Sequence, residues 1–413
     1  MSKHFSSLVI VSILSILVIG GVLLAQVPRN AQASSHSIPG QYIVVLKDAV
    51  ASPQGVASEM VKAKGLTVNA VYSSALKGFA ASIPAAQLDN IARDPRVQFI
   101  SEDREVSAVA QTTPIGISRI QAPLNTSNKG TGIGVAVIDT GIDLTHPDLK
   151  ANIIANTSCI RGKKTGNDDN GHGSHVAGTI AALDNGVGVV GVAPQAKLAA
   201  VKVLNSAGSG TWSSVICGID WVTANASTYN IQVANMSLGG NGMSDSNCGT
   251  SNHDALHKAI CNSAAAGITY VVAAGNNGAN TNGFVPAAYD DSVITVSALA
   301  DSDGASGGLG ISTSYGADDT FATFSNYGNS VDLGAPGVAI FSTWKKGSYN
   351  TISGTSMATP HAAGAAALYA KSHPGSSWSQ VRDGLKAAAE LLNNGHTDPS
   401  GLHPEPVLQT ATL

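Results

Sequence analysis

A chain of 413 residues that is 43% hydrophobic and 12% charged is long enough to bury a large core and to carry a second, small domain. Its formal net charge of -4 supplies no basic face, so nucleic acid is not an expected partner. Aromatic residues make up only 5% while glycine numbers 45, a balance that suits tightly packed α/β layers joined by close turns.

The chain opens on a targeting pattern. Lys3 and His4 form a basic start, residues 8–24 are apolar apart from Ser and Gly, and Ala31-Gln32-Ala33 supplies a small-residue cleavage site. Residues 1–33 are expected to be a signal peptide removed on secretion. No stable membrane association is expected after removal, whereas retention would leave the protein tethered. Four cysteines (Cys159, Cys217, Cys248 and Cys261) follow this export signal, and an even number in that setting predicts two disulfides with three pairings open. The short Asn-, Ser- and Gly-rich stretch between Cys248 and Cys261 favours that pair, which leaves Cys159 for Cys217.

Residues 34–109 read as a small α+β domain. Strands are predicted over 41–47, 67–73, 76–83 and 96–100, and helices over 52–64 and 84–93, the second with Pro84 in its first turn. The order β-α-β-β-α-β is the ferredoxin-like arrangement. A polar, glycine-free tail over 101–109 follows.

From residue 110 onward, strand and helical stretches alternate, which predicts a doubly wound, mostly parallel sheet. Gly134-Val135-Ala136-Val137-Ile138-Asp139-Thr140-Gly141 is a buried strand ending in an Asp, and reactive groups of such sheets gather at strand carboxyl ends. His172 lies between two glycines at the mouth of an apolar helix, a poor setting for a core residue. Tyr270 to Ala273 form another buried strand that ends in Ala274, Gly275 and the amide of Asn276. Last comes Gly354-Thr355-Ser356-Met357-Ala358-Thr359-Pro360-His361, leading into a helix predicted over 357–371. A Ser at a helix start has its N–H among the unsatisfied donors there, and the dipole favours negative charge. On its own such a Ser reads first as a helix cap. A base and an orienting acid would make it a nucleophile.

The segments Asp139-Thr140-Gly141-Ile142 with His146-Pro147-Asp148-Leu149, then His172-Gly173-Ser174-His175, then Gly354 through Pro360, together resemble the subtilisin family of serine proteases, in that family's chain order Asp, His, Ser. The likeness covers nearly all of residues 110–385. One departure is Ser174, where the family usually carries Thr. The preceding small domain resembles the family's inhibitory, chaperone-like propeptide. Ala110-Gln111-Thr112-Thr113-Pro114 resembles a mature amino terminus, which implies self-cleavage after Val109. The resemblance implies a secreted, monomeric serine endopeptidase that acts on protein and peptide substrates and is held by its own propeptide until processing.

Carried over residue by residue, the resemblance makes Ser356 the nucleophile, His172 the general base, Asp139 its orienting acid, and Asn276 with the Ser356 N–H the oxyanion donors. Substrate is expected as an extended strand between Gly208, Ser209 and Gly210 on one side and Ser237, Leu238, Gly239 and Gly240 on the other. Trp212 is placed in an apolar subsite, with plain core packing as the alternative. Ala273, Ala274 and Gly275 complete the primary pocket, whose floor past Asn276 is not readable. Leu183-Asp184-Asn185-Gly186-Val187-Gly188-Val189 matches the family's calcium loop. That match implies structural, non-catalytic calcium held by Gln111, Asp148 and Asn185 and by the carbonyls of Leu183, Val187 and Val189. A second carboxylate group (Asp301, Asp303, Asp318 and Asp319) lies in an apparent insertion, lacks EF-hand spacing, and is expected to be a solvated surface loop. The Pro- and Gly-rich run over 393–413 is expected to coat the surface or fray.

Overall fold

The computed structural model of the chain describes residues 37–104 and 111–413, so the expected leader over 1–33 and the expected boundary at Val109 and Ala110 lie outside the described residues. The chain divides into two compact units between residues 108 and 109.

The first unit runs β1 (Ser37–Leu46), α1 (Pro53–Lys64), β2 (Thr67–Tyr72), β3 (Gly78–Ser82), α2 (Ala85–Ala92) and β4 (Val97–Arg104). The sheet order is β2-β3-β1-β4 with antiparallel neighbours, as the ferredoxin-like reading requires. Helix α1 starts where Ser52 Oγ accepts the Gly55 N–H at 3.0 Å, has Pro53 at its first position, and stops at Gly65 in the left-handed conformation. Val44, Leu46, Phe79 and Ala81 of the sheet meet Val56, Ala57 and Met60 of α1 and Ile91 of α2 to form the core.

The second unit begins with α3 (Ile115–Arg119) and continues through β5 (Gly134–Asp139), β6 (Ile153–Ser158), α4 (His172–Ala181), β7 (Lys197–Lys202), α5 (Trp212–Tyr229), β8 (Ile231–Met236), the two-residue β9 (Gly240–Asn241), α6 (Ala255–Ala265) and β10 (Thr269–Ala273). It ends with β11 (Phe284–Val285), β12 (Val293–Ala300), β13 (Thr320–Phe321), β14 (Leu333–Pro336), the hairpin β15 (Ile340–Trp344) and β16 (Ser348–Ile352), α7 (Thr355–Ser372) and α8 (Trp378–Ala388).

The main sheet has the order β13-β12-β10-β8-β5-β7-β6, with β14 also on β12. Its pairings are parallel except for β13, which runs antiparallel along β12. Alternate residues of each strand enter different cores. Val135, Val137, Val233 and Val271 pack with α4, α7 and α8, whereas Ala136, Ile138, Ala234 and Val272 pack with α5 and α6. Two cores on one sheet pin the register of every central strand, because a one-residue slip would exchange the two sets. The disulfides are Cys159–Cys217 and Cys248–Cys261.

Of the two expectations for the carboxy-terminal run, a coat or a frayed end, fraying does not hold. Val407 and Leu408 are buried, the Leu408 N–H donates to the Gly334 carbonyl at 2.9 Å, and the Thr410 N–H donates to the Ile120 carbonyl at 2.9 Å. Its few apolar side chains cover the β14 edge, so this polar-looking segment is part of the fold. Among the described residues, no helix is long and apolar enough to cross a membrane.

Candidate active site

Asp139 ends β5 at the carboxyl edge of the sheet and is fully buried. One carboxylate oxygen accepts the Thr140 N–H at 2.6 Å, and the fully buried Lys202 donates to the Thr140 carbonyl at 2.6 Å, to Asp169 at 2.7 Å and to the Leu204 carbonyl at 2.9 Å. Lys202 thus ties the ends of β5 and β7 together. Sequence reading passed over it, although a lysine closing a buried strand is a signal that could have found it.

His172 is the first residue of α4, at the mouth of the apolar helix. Its Nδ1 lies 2.8 and 3.0 Å from the two oxygens of Asp139. The turn before it needs glycine: Gly171 has φ of 119°, and a Cβ there would lie 2.2 Å from the Trp344 ring. Asp168 caps this helix, one oxygen accepting the N–H groups of Asn170 and Gly171 at 2.9 Å and the other accepting from Ser174 N at 3.0 Å and Ser174 Oγ at 2.6 Å. Ser174 therefore makes its hydroxyl bond without the methyl of Thr. Burial opposes a charged His172 imidazole, but the Asp139 charge and hydrogen bond outweigh it and Asp168 adds to them, so the pKa lies above the ordinary histidine value.

Ser356 is the second residue of α7, which starts two residues earlier than expected. Its hydroxyl donates to the Ser237 carbonyl at 3.2 Å, and Ser237 Oγ donates back to the Ser356 carbonyl at 2.8 Å. That carbonyl is free because Pro360, four residues on, has no N–H to give it. Asn276 is held by its oxygen, which accepts the Thr355 N–H at 2.8 Å and the Thr355 hydroxyl at 2.9 Å. Its Nδ2 is left beside Gly354. The loop beneath is set by the buried Asn326, which donates to the Ala274 carbonyl at 3.0 Å and accepts from Asn277 and Ala279 N–H at 2.9 and 3.1 Å. Gly275 has φ of 105°, and a Cβ there would lie 2.5 Å from Asn326 Nδ2. Neither Thr355 nor Asn326 was singled out from sequence, since their contacts join distant segments.

Two adjoining pockets run along these residues. The larger, about 820 Å³, is lined by His172, Gly208, Ser209, Gly210, Trp212 and Ser237 to Gly240 among others. Trp212 is 36% exposed and its ring lies so close to Gly240 that a Cβ there would come within 2.9 Å of it, so Trp212 packs on the pocket wall and not in the core. The smaller, about 360 Å³, joins Ser356 and Asn276 to Leu238, Gly239, Gly240, Ala273, Ala274 and Gly275. Its remaining lining includes Phe284, Val285 and Ala287, brought there where β11 pairs with β9. These apolar residues are the floor that the linear sequence did not disclose.

The other histidines of the motifs have structural surroundings. His146 Nε2 lies 2.9 Å from the Ser348 carbonyl and its Nδ1 accepts the Asp148 N–H at 3.1 Å, while His175 Nε2 lies 2.9 Å from the Ile340 carbonyl. His361 Nδ1 lies 2.9 Å from the Met357 carbonyl. Burial depresses both His175 and His361 to about 4.

In the loop expected to hold calcium, Gln111, Asp148, Leu183, Asn185 and Val189 are linked by hydrogen bonds. Gln111 reaches the Leu183 and Val189 carbonyls at 2.5 and 3.0 Å, and Asp148 accepts from Asn185 Nδ2 at 2.9 Å and Val189 N–H at 2.8 Å. Val187 sits on the exposed turn, its N–H on Asn185 Oδ1 at 3.0 Å. The amides of Gln111 and Asn185 turn their nitrogens toward these oxygens; with the amides rotated, a buried carboxylate, two amide oxygens and the carbonyls are a donor set that fits a hard cation.

The second acidic group is not the solvated loop that was expected. Asp301, Asp318 and Asp319 are buried, because the insertion folds back onto β12, β13 and α3.

Comparison with known proteins gives the class. A model described as the Subtilase family matches residues 130–402, and one described as Peptidase inhibitor I9 matches residues 41–108. A solved structure of a cold adapted subtilisin-like serine proteinase has a TM-score of 0.58 and 36% identity, covering 72% of this chain and 97% of its own. Fold and family together define a serine endopeptidase, a hydrolase. The chain belongs to the subtilase family. Among its relatives, the alkaline protease of Alkalihalobacillus alcalophilus is 42% identical over 322 residues, covering 76% of this chain and 74% of that protein. Subtilisin E of Bacillus subtilis (strain 168) is 38% identical over 382 residues, covering 90% and 91%.

Proposed function

We propose that this chain is the precursor of a secreted, monomeric endopeptidase that cuts proteins and peptides through Asp139, His172 and Ser356. Ser356 Oγ attacks the scissile carbonyl as its proton passes to His172 Nε2. Asp139 holds the Nδ1 side and stabilises the imidazolium. The tetrahedral oxyanion is taken by Asn276 Nδ2 and the Ser356 N–H, an arrangement that gains most when charge develops. His172 then returns the proton to the leaving amine, and water repeats the sequence on the acyl-enzyme. The reading rests above all on the two-oxygen contact of Asp139 with His172 Nδ1 at 2.8 and 3.0 Å, at the mouth of a cleft.

Substrate lies extended between Gly208, Ser209 and Gly210 and the segment from Ser237 to Gly240, with its backbone paired to both. Trp212 takes an apolar side chain upstream of the cut. The pocket bounded by Ala273, Ala274, Gly275, Phe284 and Val285 favours an apolar residue at the cut itself. Residues 1–33 direct export, residues 34–109 inhibit and assist folding, and self-cleavage after Val109 frees the peptidase domain over 110–413. Gln111, Asp148 and Asn185 with the Leu183, Val187 and Val189 carbonyls hold calcium, which stabilises the folded state.

The test is the intact mass of purified wild type and Ser356→Ala chains expressed with calcium present. The expected result is a fragment starting at or near Ala110 from wild type and an uncut variant. Folded, full-length protein from both would overturn self-processing.

A further inference from the structure

The insertion between β12 and β13 buries more negative charge than its protein partners balance. Asp319 is accounted for: one oxygen takes Arg119 Nε at 2.6 Å and the other takes the Gly307 and Gly308 N–H groups at 2.8 and 3.0 Å. Arg119 spends its remaining donors on Glu390 at 2.8 and 3.2 Å, so this buried cation already serves two carboxylates.

Asp318 has only neutral donors, the Ser302 N–H at 2.8 Å, the Ser302 hydroxyl at 3.0 Å and the Gly310 N–H at 2.7 Å. Asp301 is 1% exposed; its Oδ1 accepts the Gly304 N–H at 3.0 Å, and its Oδ2 is buried without any hydrogen-bond partner. Asp303, on the outer side, gives one oxygen to the Ala305 N–H at 2.8 Å. One carboxylate oxygen from each of Asp301, Asp303 and Asp318 lies within 4.8 Å of the others. Leaving the buried Asp301 Oδ2 unpaired is costly, and three converging carboxylates repel one another.

We propose that Asp301, Asp303 and Asp318 form a binding site for a hard divalent cation, of the calcium type. The spacing suits an ion bound at roughly 2.3–2.6 Å from each oxygen, and the donors are oxygen only. Asp303, facing solvent, supplies the entry side, and Asp301 and Asp318 form the closed side. The ion would tie the insertion to β12 and β13, and through the neighbouring Asp319 to Arg119 of α3 and to Glu390 after α8. The rival is a proton on Asp301, since burial and the nearby Asp319 and Asp318 charges raise its carboxyl to about 7. This site is separate from the loop over 183–189 and does not depend on calcium binding there.

The experiment counts ions. Full-length Ser356→Ala chains, which avoid self-digestion, are stripped with chelator and titrated with calcium by calorimetry and native mass spectrometry, alone and with Asp303→Asn, Asp318→Asn or Asp148→Asn added. The expected result is that Asp318→Asn binds one calcium fewer than its parent and that the exposed Asp303→Asn weakens one site at least tenfold. Asp148→Asn should keep that site. Should Asp318→Asn not fold, Asp303→Asn decides alone. Equal stoichiometry and affinity in the parent and Asp303→Asn would overturn the proposal in favour of the proton.

Discussion

Ser237 and Ser356 hold each other by two reciprocal hydrogen bonds, hydroxyl to carbonyl in each direction, at 2.8 and 3.2 Å. The first exists because Pro360 withholds the N–H that would otherwise occupy the Ser356 carbonyl. Removing the Ser237 hydroxyl strands that buried carbonyl and loosens Ser356, the proposed nucleophile. Ser237→Ala is expected to lower kcat by roughly tenfold, the equivalent of about one hydrogen bond, with KM little changed. Steady-state kinetics on a peptide amide decides it; unchanged kcat would show that the bond serves folding alone.

Asn276→Ala should cost on the order of 10²–10³ in kcat, the loss established for a single oxyanion donor in a subtilisin. Thr355→Val keeps Asn276 but removes one of the two donors that orient its amide. A smaller kcat loss, about tenfold, is expected for it. If Thr355→Val matched Asn276→Ala, the amide would depend wholly on that hydroxyl.

Activity should fall as pH drops through a pKa above the ordinary histidine value, because the base must be neutral and Asp139 favours its charged form. The stability effect has the opposite sense. A histidine pKa raised by folding contributes stability below the unfolded value, and the contribution is lost as pH rises through the folded one. Asp168→Asn removes a neighbouring charge, so it should shift the acidic limb of kcat/KM to lower pH. An unmoved limb would count against this electrostatic role.

His175 and His361 act the other way. Both are buried and held near 4, so the unfolded chain takes up protons first as the medium is acidified. Stability present above the unfolded pKa should be lost as pH falls toward 4, by about 3 kcal/mol for each histidine. Thermal unfolding from pH 7 to 4 should therefore show a shallower decline in His361→Leu than in the parent.

Cys159–Cys217 closes a separation of 58 residues and Cys248–Cys261 one of 13. In the chain-entropy picture these contribute about 4 and about 3 kcal/mol. Replacing each pair by Ser should lower the denaturant midpoint, more for the longer loop. The reverse order would mean that local packing around Cys248 and Cys261 outweighs loop entropy.

Much of the second unit was legible in the linear chain because the segments proposed to be catalytic are local. Asp139 sits at a strand end, His172 at a helix mouth and Ser356 at a helix start, and each position follows from period-2 or helical patterning and glycine placement within a few residues. The βαββαβ order of the first unit was legible for the same reason. What escaped depends on contacts between segments far apart in the chain. Phe284 and Val285 become a pocket floor only when β11 pairs with β9. Thr355 holds the Asn276 amide across a separation of 79 residues, and Asn326 holds the adjoining loop at Asn277 across 49. Asp301 and Asp318 looked like solvated loop residues because polarity was the available signal, and their burial depends on folding against Arg119 and the tail. Local hydrogen bonds and apolar periodicity determined where the reactive groups stand along the chain. Tertiary packing alone decided which buried polar groups find partners, and it left Asp301 Oδ2 without one.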